Sequence, residues 1–278
     1  MQARDVTEEL LAVLEDGSAE ERRQAAADPS ATEKVLMKAM GDVVVWVRWA
    51  AARNVRAGEA VLMKAMGDAD PLVRRAAAGN MAASEAVLMK AMGDEDWIRE
   101  VAAANPAAGA AVLMKALGDR SALVCRAVGG NAHTPVDALV FLSRHENKWV
   151  RRAVGGNAHT PVDALVTLLG DEDWEVRIAA AGNVGASGVA LAAAVGDGDP
   201  RVRTVAVENA NAPEAVVVRG TSDRSKWVRI AAARSPRLPV EAAERLLRSR
   251  VREIAVALAA NEALPERIRV AARLKAGL

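Results

Sequence analysis

The stretch Asp68-Ala-Asp-Pro-Leu-Val-Arg-Arg-Ala-Ala-Ala-Gly-Asn80-Met-Ala-Ala-Ser-Glu-Ala-Val-Leu-Met-Lys-Ala-Met-Gly-Asp94 decides the fold. It reads as two short helices. The first opens at Asp70-Pro71, a good N-cap followed by the residue favoured at the first helical position. It runs through Val73, Ala76 and Ala77 and stops at Gly79-Asn80, two residue types that tolerate the left-handed conformation in which many helices end. The second opens after Ser84 and places Val87, Leu88, Ala91 and Met92 on one face. Gly93-Asp94 closes it, and Asp96 caps the next unit.

The same sentence is written along most of the 278 residues. Asparagine returns at Asn54, Asn80, Asn105, Asn131, Asn157, Asn183 and Asn209, and Asp28, Ser235 and Asn261 continue the beat. The interval is 26 residues except before Asn105, where one residue is missing. Self-similarity at a period between 20 and 50 residues marks a solenoid, here of about ten units. Gly41-Asp42, Gly67-Asp68, Gly118-Asp119, Gly170-Asp171 and Gly196-Asp197 repeat the punctuation, and Thr134-Pro135 and Thr160-Pro161 supply a hydroxyl cap before a second helix. No run alternates like a strand, so the expected class is all-α: an α-solenoid of two-helix repeats. Such short helices are marginal alone and bury their apolar faces only on a neighbouring repeat. Leu36, Leu62, Leu88, Leu113, Leu139, Leu165 and Leu191 are the expected spine of the core. Residues 1–17 and 265–278 are expected to cap an array over residues 18–264, all as one continuous domain.

The unit Trp149-Val-Arg-Arg-Ala-Val-Gly-Gly-Asn157-Ala-His-Thr-Pro-Val-Asp-Ala-Leu-Val-Thr-Leu-Leu-Gly-Asp-Glu-Asp-Trp174 resembles the leucine-rich repeat variant family, with HEAT-like repeats as the next relatives through the shared Val-Arg step. The resemblance covers residues 18–270 or so. It implies a right-handed superhelix in which α-helices alternate with 3₁₀ or short α turns. Some members of that family carry an iron–sulfur module with clustered cysteines. Cys125 stands alone here, so that role is not implied, and no disulfide can form within the chain.

Four columns carry the chemistry. Arg48, Arg74, Arg99, Arg151, Arg177, Arg203 and Arg229 recur six residues before the asparagine, and Cys125 occupies the same column. The leading reading is a structural ladder in which each Arg pairs with an Asp of the preceding punctuation; the alternative is a row of anion-binding guanidiniums. Lys38, Lys64, Lys90 and Lys115, with Arg219 and Arg245, form a second basic column, read as a solvated face or as a stripe for an acidic protein or a phosphate backbone. Trp46, Trp97, Trp149 and Trp227 form the third, with Trp174 one residue early and Trp49 off the column. Leu72 and Leu123 fill that place in other repeats, which favours packing between repeats over aromatic platforms. The asparagines themselves (Asn80, Asn105, Asn131, Asn157 and Asn183 among them) read as helix stops.

His133 and His159 are copies of one turn position, and no metal-ligand, triad or phosphate-loop spacing accompanies them. No catalytic residue, cofactor or metal is therefore expected. Net charge is +1, which weighs against a dedicated nucleic-acid binder. Residues 1–42 are acidic and the chain from Arg219 onward is rich in Arg, a polarity suited to end-to-end homo-oligomers. No apolar run reaches membrane-spanning length and the first residues resemble no leader, so a cytoplasmic protein is expected. The leading functional reading is a non-enzymatic scaffold for a protein or peptide, because a regular array presents residues in rows rather than converging them in one pocket. Nucleic-acid binding through the basic columns is the alternative, and an enzyme on a HEAT-like scaffold the remote one.

Overall fold

The computed structural model describes residues 2–278, with side chains from residue 6 onward. Arg4 and Asp5, within the acidic stretch 1–42, lie outside the described side chains. Among the described residues every regular element is an α-helix. After α1 (Gln2–Asp16) the first helices of the repeats are α2 (Ala19–Ala27), α4 (Val45–Arg53), α6 (Pro71–Ala78), α8 (Asp96–Ala104), α10 (Ala122–Gly130), α12 (Lys148–Gly156), α14 (Trp174–Ala181), α16 (Pro200–Glu208), α18 (Lys226–Arg234) and α20 (Arg252–Ala260). The second helices are α3 (Glu33–Ala39), α5 (Glu59–Ala65), α7 (Glu85–Ala91), α9 (Ala110–Ala116), α11 (Val136–Leu142), α13 (Val162–Leu169), α15 (Gly188–Ala194), α17 (Glu214–Gly220) and α19 (Val240–Leu246), and α21 (Glu266–Ala276) comes last. The second helices are true α-helices of 7 or 8 residues, with no 3₁₀ segment.

The chain divides into two compact units, Met1–Ala138 and Leu139–Leu278. Each is an α-solenoid in which a first helix packs on the first helix of the next repeat: α4 on α6 and α6 on α8 in one unit, α14 on α16 and α16 on α18 in the other. Second helices fill the other side of the layer. Leu36, Leu62, Leu88 and Leu113 are fully buried in the first unit, and Leu139, Leu165 and Leu191 in the second, where Val217 and Ala243 continue the column. Small residues let the layers approach; Ala51, Ala77 and Ala103 are fully buried where first helices meet.

The helix starts agree with their caps. The Asp70 side chain accepts from Leu72 N–H, Pro71 occupies the first turn, and Ser84 Oγ accepts from Val87 N–H. The stops differ from expectation. Asn54, Asn105 and Asn209 end their helices in extended backbone near φ −60°, ψ 130–136°, and Gly79 stays right-handed. Gly277 alone among the described residues has positive φ. The asparagine is needed for its carboxamide instead. Asn80 Nδ2 donates to Ala52 O at 2.8 Å and Asn54 O at 3.0 Å, while its Oδ1 accepts from Ala82 N–H at 2.9 Å. One buried side chain thereby satisfies the open Ala52 carbonyl at the end of the preceding first helix, gives Asn54 O a second donor beside Ala57 N–H, and shapes its own turn. Asn54, Asn105 and Asn131 do the same in the first unit, and Asn183, Asn209 and Asn261 in the second. Asn157 is buried as well, its Oδ1 accepting from His159 N–H.

Thr134 and Thr160 also depart from the expected role. Their hydroxyls are buried and donate back to Val128 O and Val154 O, so the following helices start without a hydroxyl cap from them. A hydroxyl in the core bonds the carbonyl within its reach rather than the helix it precedes.

Candidate binding groove

The arginine column forms a ladder, but its partner lies on the other side from the one expected. Arg74 Nε and Nη2 donate to Asp94 Oδ2 and Oδ1 at 2.7 and 3.0 Å, 20 residues downstream, while Nη1 donates to the backbone carbonyls of Asp68 and Ala69. The preceding Asp thus contributes its carbonyl and the following Asp its carboxylate. Pairs Arg22–Asp42, Arg48–Asp68 and Arg99–Asp119 repeat this in the first unit, and Arg151–Asp171, Arg177–Asp197 and Arg203–Asp223 in the second. The geometry is the fork-to-fork pairing for which guanidinium is suited. The Arg74 hydrogen bond, working against partial burial, holds the Asp94 carboxyl below its ordinary value; Arg99 and Arg203 do the same to Asp119 and Asp223. Cys125, in the arginine column, is buried and points its thiol at Asp119 O, 3.3 Å away; burial first, then the Asp119 charge, pushes that thiol up.

The second basic column stands mostly in solvent. Lys64, Lys90, Lys115, Arg219 and Arg245 are exposed, and none has a carboxylate partner among the described residues. Lys64 reaches Met37 O, whereas Lys38 pairs with Glu15 and Lys34 with Glu8, which neutralises part of the acidic head within the chain. His133 and His159 lie in exposed turns, and among the described residues no group of His, Cys, Asp and Glu is arranged to hold a metal ion.

The tryptophan column corrects the packing expectation. Trp46, Trp149 and Trp227 are 53%, 43% and 61% exposed, and Leu72 and Leu123 at the same position are exposed too. They decorate the open face of the first helices, and cations cover several of the rings. Lys148 Nζ sits 4.8 Å from the Trp149 centroid, Lys226 Nζ 4.8 Å from Trp227 and Arg201 Cζ 3.3 Å from Trp174.

On this face, between α4, α6 and α8, lies a groove of about 750 Å³. Helical spacing builds it. Trp49 and Arg53 are four apart on α4; Leu72, Arg75 and Ala76 fall on one side of α6, with Gly79 at its C-cap; Val101 closes the far wall from α8. The depth comes from what is missing at the floor: a Cβ on Gly79 would lie 3.1 Å from Val101 Cγ1. Trp46 meets Trp49 edge-on at 5.9 Å and steadies that wall. Arg53 lies over the Trp49 ring at 4.7 Å and Arg75 over the Trp97 ring at 5.8 Å. These cation–π contacts hold the two guanidiniums over the rings, and neither guanidinium donates a hydrogen bond among the described residues. Neither has an ion-pair partner among the described residues, and no acid lines the groove. Farther along, Arg126 is neutralised by Glu100. The second unit has a smaller groove of about 360 Å³ at the same level of its repeats, beside Glu208, Arg234 and Arg237.

Of the residues expected at a binding surface, Trp46 adjoins this groove and Trp97 lies under Arg75; the lysines are not among its lining residues. Trp49, Arg53, Leu72, Arg75, Gly79 and Val101 were missed. Their signal was a column five residues before the asparagine (Trp49, Arg75, Glu100, Arg126 and Arg152), large and polar beside a column of small residues at Ala50, Ala76 and Ala127.

Comparison with known proteins agrees with this architecture. A HEAT repeat family model matches residues 162–186. Among solved structures, a leucine-rich repeat variant described as having a novel repetitive structural motif is 24% identical, with 79% of this chain and 87% of that chain covered, at a TM-score of 0.58. The Escherichia coli protein YibA is 17% identical over 92% of this chain and 95% of its own, at a TM-score of 0.36. A computationally designed armadillo repeat protein for modular peptide recognition is also 17% identical, covering 97% and 98%, at a TM-score of 0.14. No curated protein matches the chain. The likeness is one of fold: the chain has the α-solenoid architecture of leucine-rich-variant and HEAT-like repeats.

Proposed function

We propose that the protein is a non-catalytic scaffold, and that the groove across α4, α6 and α8 receives an extended segment of a protein partner carrying a large apolar side chain between acidic residues. The observation that carries this reading is the pair Arg53 and Arg75, each over a tryptophan ring, lacking ion-pair partners among the described residues and flanking an apolar trough that holds no acid. Tryptophan and arginine dominate the energetics of protein interfaces. A carboxylate reaching either unpaired guanidinium makes a charge-assisted hydrogen bond, while the trough takes the apolar side chain. We read residues 18–264 as one continuous array with caps at residues 1–17 and 265–278. The rows of like residues, with no convergent acid, base and nucleophile in the groove, support a binding role over an enzymatic one.

The test uses labelled, end-blocked 15-residue peptides with a central Leu or Trp flanked by Glu, beside Lys-flanked counterparts and a single-stranded oligonucleotide, all measured by anisotropy. The Glu-flanked peptides are expected to bind. Arg53→Glu with Arg75→Glu is expected to weaken that binding by about thirtyfold or more, as reversal of two interface charges does, with the melting temperature little changed. Binding only by Lys-flanked peptides would overturn the reading. Steeply salt-dependent binding of the oligonucleotide, lost in Lys64→Glu with Lys90→Glu, would put the nucleic-acid alternative in its place.

A further inference from the structure

The ladder of the second unit contains its own control experiment. Arg151, Arg177 and Arg203 each donate Nε to a carboxylate Oδ2 at 2.6–2.7 Å and Nη2 to its Oδ1 at 2.9–3.1 Å. Each also anchors Nη1 on carbonyls five and six residues upstream. Arg229 keeps the anchor: its Nη1 donates to Asp223 O at 2.6 Å and Arg224 O at 3.1 Å. Twenty residues on, however, where the other rungs have aspartate, the chain has Ser249. Ser249 performs one of the two tasks of that aspartate, its Oγ accepting from Val251 N–H at 3.2 Å just as Asp197 Oδ1 accepts from Asp199 N–H at 2.8 Å. It supplies no carboxylate.

The Nε and Nη2 edge of Arg229 therefore has no acceptor among the described residues. The nearest acid along the chain, Asp223, gives its carboxylate to Arg203. Arg224, Arg248 and Arg250, next to the two halves of the rung in sequence, are exposed and add positive charge. A half-buried, anchored guanidinium has already lost much of the freedom that an arginine gives up on binding, which favours a planar partner of matching geometry.

We propose that the Arg229 edge is a recognition site for a carboxylate supplied from outside the chain, either the Asp or Glu side chain of a partner or a small free carboxylate. The site lies in the second unit and is independent of the groove, so either reading can fail without the other.

The direct measurement is the Arg Nε–Hε NMR resonance of the full chain, with the Arg229 signal assigned by its loss in Arg229→Lys. Titration at constant ionic strength with acetate, and separately with a blocked Gly-Asp-Gly peptide, is expected to move that resonance toward those of the Arg177 and Arg203 rungs. Chloride is expected to leave it in place. Tighter binding of the peptide assigns the carboxylate to a protein partner; equal binding assigns it to a small molecule. In parallel, Ser249→Asp is expected to complete the rung, raise the melting temperature by about 2–4 °C and abolish the acetate response. Ser249→Asn keeps the bond to Val251 but brings no charge, and is expected to do neither. An Arg229 resonance that ignores both carboxylates, or a Ser249→Asp protein that melts no higher than Ser249→Asn, would overturn the proposal.

Discussion

At the scale of single residues, asparagine is distinguished by carrying two donors and an acceptor on one short, uncharged side chain. Asn80 uses both donors on carbonyls of the preceding repeat and its acceptor on its own turn. Aspartate lacks the donors, and serine cannot reach both carbonyls. Among the described residues Ser235, on the same comb, keeps only the local bond to Arg237 N–H. Asn80→Ala is expected to cost about 3 kcal/mol, because three hydrogen bonds go, two of them buried, and the Ala52 carbonyl is left without a partner, while Asn54 O keeps Ala57 N–H. Asn80→Asp should cost at least as much at neutral pH, since a carboxylate would face two carbonyl oxygens. Urea denaturation of the two variants beside the parent checks both. The comb was plain in the sequence. Its purpose was not, because the acceptors lie 26 and 28 residues away and become neighbours only when repeats stack.

At the scale of the helix, each first helix has a buried side and an open side, and small and large residues occur on both. In α6, Val73 and Ala77 are fully buried while Leu72 and Arg75 are exposed, although Leu72 is as apolar as any core residue. Period alone did not separate them. The second helices were easier to read, because Val87 and Leu88 in α7 are fully buried and Lys90 is exposed, as the spacing predicts. Leu88→Ala is expected to destabilise by about 3 kcal/mol, the usual cost of emptying a filled leucine site. Leu72→Ala should cost well under about 1 kcal/mol yet weaken peptide binding, since exposed side chains contribute little to the core. Thermal melts and the anisotropy assay, run on the same two proteins, separate the roles.

At the scale of the whole molecule, the Arg–Asp rungs act as a set. Asp94, Asp119 and Asp223 titrate below their ordinary value when folded, through the hydrogen bonds from Arg74, Arg99 and Arg203. In the unfolded chain they return to the ordinary value near about 4. Their stabilisation is therefore complete above that value and drains away as pH falls through the lowered folded-state values. Melting temperature should be flat in this respect from neutral pH to about 5, then fall steeply below about 4. Asp94→Asn with Asp119→Asn should blunt the fall and lower the plateau, as a pH series of thermal melts would reveal. What the sequence by itself determined was the architecture, because a period, a cap and a stop are local signals and each repeat restates them. The arginine column was legible too, but the following aspartate as its partner was not, since the two lie 20 residues apart along the chain. Only the tertiary structure decided which apolar residues face solvent and where two arginines without ion-pair partners flank a trough, because those facts depend on how neighbouring first helices sit side by side, and that distance is written in no single repeat.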